Sequence, residues 1–281
     1  MVTDSHASGQ VPQFSDRIRS RARQSGSWLC VGLDPDASWL PPHIPPTAQG
    51  VVDFCRAIVE ATAASALCFK INFAFFEVLG PDGWRALHQV RSSIPDDIPV
   101  IADAKRGDIG NTDEAYAHSI LEVLDFDAVT VSPYLGQDSI KPFVSRPDKC
   151  ALVLCKTSNP GSGDFQELSL EGEPLYVHVA RRMLAWNTPG EIGLVIGATQ
   201  PDALTRVRAL SDDALFLVPG VGAQGCTPED ALRFGANHRG ENALIAVSRQ
   251  ILTASSGTDF AQAAGRTAAD LARRTCHPAR T

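Results

Sequence analysis

The chain has 281 residues, 44% hydrophobic and 20% charged, with a formal net charge of -7. This balance is that of a globular protein with a sizeable core, and an acidic excess without any basic run argues against nucleic acid or an anionic membrane as the main partner. No stretch approaches the ~20 apolar residues of a spanning helix, and residues 1–25 lack the apolar core of a signal peptide.

Residues 1–13 are polar and are expected to form a flexible N-terminal segment. A short helix is expected from Ser15, a plausible N-cap before Asp16. The first apolar strand, Trp28 to Leu33, ends on Asp34-Pro35-Asp36, and the proline-rich stretch from Pro41 to Pro46 cannot be helical throughout. Val51, Phe54, Cys55, Ile58 and Val59 recur at helical spacing and lead to a second strand, Ala66 to Ile71, with Lys70 near its end. A helix around Trp84 to Val90 precedes the third strand, Val100 to Asp103.

The alternation continues to the end of the chain. A helix from Asp113 to Leu124 precedes a strand from Ala128 to Val131, and a short helix near Ser139 precedes a strand from Ala151 to Cys155. Helices at Leu175–Trp186 and Pro201–Leu210 precede strands at Gly193–Ile196 and Leu215–Val218. Thr227-Pro228-Glu229 opens a helix with proline at its first position. A strand from Ala243 to Val247 and a helix from Asp259 to Arg274 follow.

Eight apolar strands, each followed by a helical pattern, fit an α/β fold of the single-domain (β/α)8 TIM barrel type over residues 14–275, with a C-terminal tail at 276–281. An open doubly wound sheet is the alternative, but no G-x-G-x-x-G follows the first strand. The seven cysteines lack C-x-x-C pairing and several fall inside apolar patterns. Reduced, packed thiols and a cytoplasmic location are therefore expected, and neither they nor the histidines stand at zinc-ligand spacing.

In a barrel the carboxyl ends of the strands converge on one rim, so polar residues there can share a site. Those residues are Asp34, Lys70, Asp103 with Lys105, Ser158, the loop Pro219-Gly-Val-Gly-Ala-Gln-Gly225, and Ser248-Arg249. The stretch Val100-Ile-Ala-Asp103-Ala-Lys105-Arg-Gly-Asp108-Ile-Gly-Asn-Thr112 runs from a buried strand straight into charge. Asp103 and Lys105 share a face if strand geometry persists. Alone, such a motif is more often a salt-bridged surface turn, and for the glycine loop alone a tight turn is at least as good a reading. Together with Arg249, after the seventh and eighth strands, the loop suits a phosphate. Alternating carboxylates keep both lysines protonated. The connection from Lys156 to about Gly172 is long enough for a binding loop or lid, or a tolerated surface insertion.

The array Lys70 … Asp103-Ala-Lys105-Arg-Gly-Asp108-Ile109 resembles that of the orotidine 5′-phosphate decarboxylase family, and the likeness covers almost the whole chain. Gly32-Leu-Asp34-Pro35, Phe69-Lys-Ile-Asn-Phe-Ala-Phe-Phe-Glu77, Lys156-Thr-Ser-Asn-Pro-Gly161 and Pro219-Gly-Val-Gly-Ala-Gln224 agree with it, and the Ser-Asn-Pro-Gly and Ala-Phe-Phe-Glu stretches look like the family's longer bacterial branch. Position 71 is Ile where that branch often has proline.

The resemblance implies decarboxylation of orotidine 5′-monophosphate without a cofactor or metal. Lys105 would protonate C6, Asp103 would lie against the departing carboxylate, and Lys70 would hold Asp103 and a ribose hydroxyl. Asp34 would also bind the ribose, and Ser158 the ring amide. Gln224 and Arg249, with Pro219 and Ser248 beside them, would hold the 5′-phosphate. Asp108, Ile109 and Thr112 resemble the segment donated to the neighbouring subunit's site, which implies a homodimer. The nearest rivals on the same barrel, keto-gulonate phosphate decarboxylases and hexulose phosphate synthases, bind magnesium through an acid near the second strand's end. Here that position is Lys70, which would repel a dication. A silent barrel that only binds phosphorylated ligands would be expected to lack Lys105 or Asp103.

Overall fold

In a computed structural model that describes residues 11–222 and 225–276, eight parallel strands close on themselves. They are β1 (Leu29–Leu33), β2 (Cys68–Asn72), β3 (Val100–Arg106), β4 (Ala128–Val131), β5 (Cys150–Lys156), β6 (Glu191–Ile196), β7 (Phe216–Pro219) and β8 (Ala243–Val247). Each pairs with its sequence neighbours, and β8 returns to β1 through Leu29 with Ile245 and Val31 with Val247. This is the (β/α)8 barrel read from the strand count. Its strands are apolar on both faces because one face fills the barrel and the other meets the helices. The helix Ala48–Thr62 illustrates the outer layer: Val51, Phe54, Cys55 and Ile58 are buried along one stripe, and the Thr47 hydroxyl caps it by accepting from Gly50 N–H at 3.2 Å.

The first helix, Phe14–Ser25, seals the amino-terminal mouth of the barrel. Phe14 and Ile18 are fully buried, and the polar side chains reach the strand beginnings. Ser15 is not the cap. Gln13 holds that position, while the Ser15 N–H and hydroxyl both donate to the Glu191 carboxylate, at 2.6 and 2.5 Å. Ser15 lies inside the first turn, after Phe14, where its N–H has no carbonyl partner within the helix and is satisfied by Glu191 at the start of β6. Arg21 donates to the carbonyls of Ala63 and Ala66 at 2.6 and 3.2 Å. Arg17 pairs with buried Asp127, whose other oxygen accepts Val100 N–H at 2.7 Å.

Two expected elements differ in detail. The helix read from Asp113 begins at Asn111, and its α-helical part ends at His118. A π-helical turn, Ser119–Val123, completes it, closed by Leu124 N–H on Ser119 O at 3.0 Å. Asp113 is drawn into the first turn because its carboxylate accepts Asp108 N–H at 2.9 Å. The connection after β5 contains a 3-10 turn, Pro160–Asp164, and a two-stranded ribbon, Ser169–Leu170 against Glu173–Pro174. Ile71 lies regularly in its strand, opposite Leu33 and Ala102.

Five cysteines are buried, Cys226 is half-buried, and none of the seven forms a disulfide. No helix of the described residues is long and apolar enough to cross a membrane. Parts of the expected terminal segments, residues 1–10 and 277–281, lie outside the described residues.

Replacing Asp127 by Ala strands the Val100 N–H and the Arg17 guanidinium at the end of the barrel opposite the charged rim. The variant is expected to lose about 2–4 kcal/mol of unfolding free energy. Chemical denaturation measures that loss, while the specific activity of folded protein stays at the wild-type level.

Candidate active site

At the carboxyl ends of β1, β2 and β3 the chain assembles a quartet of charges. Lys70 Nζ donates to Asp34 Oδ1 at 3.3 Å and to Asp103 Oδ2 at 3.0 Å, and Lys105 Nζ donates to Asp103 Oδ1 at 2.5 Å. The two ammonium groups therefore approach different oxygens of one carboxylate. They differ sharply in access: the Lys70 side chain is 5% exposed and that of Lys105 is 52% exposed. One cation is fixed under the rim and the other faces the opening.

Burial alone would discharge Lys70, but the Asp103 and Asp34 carboxylates outweigh it and hold its pKa above the ordinary lysine value. Burial likewise favours the neutral form of Asp103, and here Lys70 and Lys105 prevail, holding the carboxyl well below the usual range. Each member of the pair is charged because the other is.

Asp103 and Lys105 meet without regular strand geometry between them. β3 and β4 are in register at Ala102 with Val129 and again at Arg106 with Val131, with an irregularity between. Lys105 sits there at φ +47°, in the left-handed region that side-chain-bearing residues seldom occupy. Such a conformation costs on the order of 1–2 kcal/mol and persists only where neighbours hold it. Two neighbours do. Lys105 N–H donates to Thr130 Oγ1 at 3.0 Å, and Arg106 is tied to Glu77 Oε1 at 2.5 Å and to Ala104 O at 3.2 Å.

The other expected residues occupy the same rim. Gly32 lies so close to Ser248 that a Cβ there would come within 1.9 Å of the Ser248 hydroxyl, so only glycine admits this approach of β1 to the end of β8. Ser158 follows β5 and packs against Gly197 at the end of β6, where a Cβ would stand 2.9 Å from that of Ser158. Pro219 ends β7. Arg249 is exposed, with its guanidinium 5.0 Å from the Trp39 ring centre. Gln224 lies outside the described residues.

Asp108, Ile109 and Thr112 stand apart from the quartet, on the segment that leads from β3 to the helix Asn111–His118. The Asp108 carboxylate accepts Ile109 N–H at 2.8 Å, Ile109 is 61% exposed, and Thr112 is also exposed.

Three groups that the sequence pattern does not single out also lie at this end of the barrel. Thr130 bonds both Asp103 and Lys105, and its signal was one hydroxyl in the otherwise apolar strand Ala128–Val131. Trp39 lies beneath Arg249 with no signal beyond being an aromatic near a strand end. Lys156 opens the long connection with a buried ammonium, which bonds Ser162 Oγ at 2.5 Å and pairs with Glu167 Oε1 at 3.0 Å.

A closed parallel barrel with acids and bases gathered at the carboxyl ends of its strands is the architecture of the (β/α)8 enzymes. Residues 27–264 match the model of the orotidine 5′-phosphate decarboxylase / HUMPS family. An orotidine 5′-phosphate decarboxylase of Roseiflexus sp. (strain RS-1) is 48% identical over 92% of this chain and 95% of its own length. The solved OMP decarboxylase of Leishmania donovani is 41% identical, with a TM-score of 0.82, over 95% of this chain and 100% of that one. The UMP synthase of the same organism is 44% identical, with a TM-score of 0.83, and this chain spans 56% of that longer protein. The chain belongs to the orotidine 5′-phosphate decarboxylase / HUMPS family.

The charge balance of the quartet leads to a pH-dependent stability. Asp103 contributes above its ordinary pKa of 3.8 and loses that contribution as the pH falls through its lowered folded value. Lys70 contributes fully below its ordinary 10.5 and loses that contribution as the pH rises through its raised folded value. Lys70→Met leaves two carboxylates facing each other, at an expected cost of about 3 kcal/mol near pH 7. That deficit should narrow as the pH is lowered to 4 and Asp103, no longer held down by Lys70, takes up a proton, which urea titrations at the two pH values would reveal.

Proposed function

We propose that this chain decarboxylates orotidine 5′-monophosphate to uridine 5′-monophosphate and carbon dioxide, the last step of de novo UMP synthesis. The observation that carries this reading is the chain of contacts Lys70–Asp103–Lys105, with one ammonium buried and the other open to the rim. The names of the similar proteins support the same reaction. The magnesium-using branch is disfavoured because the end of β2 carries a buried ammonium, Lys70, where a dication would need an acid.

In the proposed reaction the bond from C6 of the pyrimidine to its carboxylate breaks, carbon dioxide departs, and the electron pair stays on C6. Lys105 then gives a proton to C6 and recovers one from solvent. A fixed ammonium about 4 Å from that developing charge is worth ~4 kcal/mol at an effective dielectric near 20, or about three decades of rate. The rest must come from a prearranged site and from binding energy at the remote phosphate. Asp103 would lie against the departing carboxylate, and Lys70 would hold it there while reaching a ribose hydroxyl with Asp34. Ser158 would meet the ring amide. The phosphate would sit among Pro219, Gln224, Ser248 and Arg249. The reaction calls on side chains alone, without metal or organic cofactor.

The proposed working unit is a cytoplasmic homodimer in which Asp108, Ile109 and Thr112 complete the partner's site. Supporting this, Ile109 and, after β4, Tyr134 and Leu135 are apolar groups left exposed beside the rim.

The assay is the ultraviolet absorbance change on conversion of orotidine 5′-monophosphate, run with a chelator. Wild type is expected to turn over unimpeded, and Lys105→Ala to lose at least about a thousandfold in kcat. Absence of turnover by folded wild type would remove the assignment. For the shared site, Lys105→Ala and Asp108→Ala are mixed after each has been shown to be impaired. Random exchange places one intact site in each mixed dimer, so activity should return to about a quarter of wild type. A mixture no better than its parts would confine Asp108 to its own subunit's site.

A further inference from the structure

The irregularity between β3 and β4 has a specific shape. Ala102 aligns with Val129 and Arg106 with Val131, so Asp103, Ala104 and Lys105 together oppose one residue, Thr130. Thr130 is 1% exposed. Its hydroxyl accepts the Lys105 N–H at 3.0 Å and lies 3.1 Å from Asp103 Oδ1, to which it donates. That same oxygen receives the Lys105 ammonium at 2.5 Å. A closed ring results, running from the Lys105 backbone through the Thr130 hydroxyl and the Asp103 carboxylate back to the Lys105 side chain.

We infer that Thr130 is a positioning residue for the proton-donating lysine: its hydroxyl holds Lys105 in the left-handed conformation and fixes the Asp103 oxygen on which the ammonium rests. Packing alone does not account for a hydroxyl here. The strand is otherwise Ala128, Val129 and Val131, all buried, and Val would fill the same space. What Thr adds is one donor and one acceptor, and both are engaged on the pair. Without the hydroxyl, the Lys105 N–H loses its acceptor and the bulge loses the contact that opposes its strain. The ammonium then samples positions away from the reacting carbon, and small misplacements of a reacting group are costly in rate.

The inference rests on the decarboxylase reading, and one experiment separates their failures. Thr130→Val is expected to lower kcat roughly 10- to 100-fold while KM changes less than about threefold. Thr130→Ser restores the hydroxyl and should recover most of the loss. Amide exchange at Lys105 should be faster in the Val variant than in wild type or the Ser variant, because only the Val variant leaves that N–H without its partner. Should the Val variant not fold, Thr130→Ala gives the same readings. A Val or Ala variant with kcat within about twofold of wild type, or a Ser variant as impaired as they are, would overturn the inference. If wild type did not turn over the substrate, the decarboxylase reading would fall, while exchange at Lys105 would still decide whether Thr130 holds the bulge.

Discussion

The rim depends on one carboxylate. Asp103 accepts from Lys70 on one oxygen and from Lys105 and Thr130 on the other, so both ammonium groups of the quartet are positioned through it. A carboxylate this buried costs several kcal/mol of lost hydration unless cations and donors surround it. The converse holds for Lys70, whose ammonium is admitted to the interior only because Asp103 and Asp34 are there. The quartet therefore forms as a whole, and its two cations are set apart by access alone. Burial makes Lys70 a fixed counter-charge, and exposure leaves Lys105 free to meet a ligand.

The two ends of the barrel show opposite treatments of backbone and charge. At the amino end, the Phe14–Ser25 helix places Ser15, Arg17 and Arg21 onto carboxylates and carbonyls where strands begin, and the Val100 N–H finds the Asp127 carboxylate. At the carboxyl end, β3 is bulged, Lys105 has positive φ, and Arg249 reaches outward over Trp39. Left-handed side-chain-bearing residues occur at both ends, Asp125 and Asn242 before β4 and β8 and Lys105 at the rim, but it is Lys105 that stands among the charges of the quartet. Lys105 is the proposed proton donor, and the bonds that hold its conformation come from β4 and from the Arg106–Glu77 pair.

The long connection after β5 is held by its own polar contacts. Lys156 carries its charge inward to Ser162 and Glu167, and Gln166 closes on the backbone and hydroxyl of Thr157. Phe165, Leu168 and Leu170 remain exposed on this segment. Farther along, His178 contacts Leu170 O at 2.8 Å and Arg181 pairs with Glu173, so the ribbon is tied to the helix Leu175–Ala185 that follows it.

Much of the architecture was legible because it depends on local pattern. Alternating strand and helix periods, proline at the first turn of the 228–235 helix and charges after apolar runs are properties of neighbouring residues, and they survive folding unchanged. The array of Lys70, Asp103, Lys105 and Asp108 was legible as a motif, and its first three members do meet. Ser15 reads as a cap in the sequence, but the helix starts before it, at Phe14, and its N–H and hydroxyl both go to Glu191, 176 residues away. The role of Thr130 was hidden too, since β4 alone shows only a β-branched residue suited to any strand. The sequence by itself determined the periodicities, and hence the barrel, and the residue types at the strand ends. Tertiary structure alone decided which ammonium is buried, that three residues of β3 would oppose one of β4, and which hydroxyl would hold the left-handed Lys105. Burial and register arise only when separate strands pack.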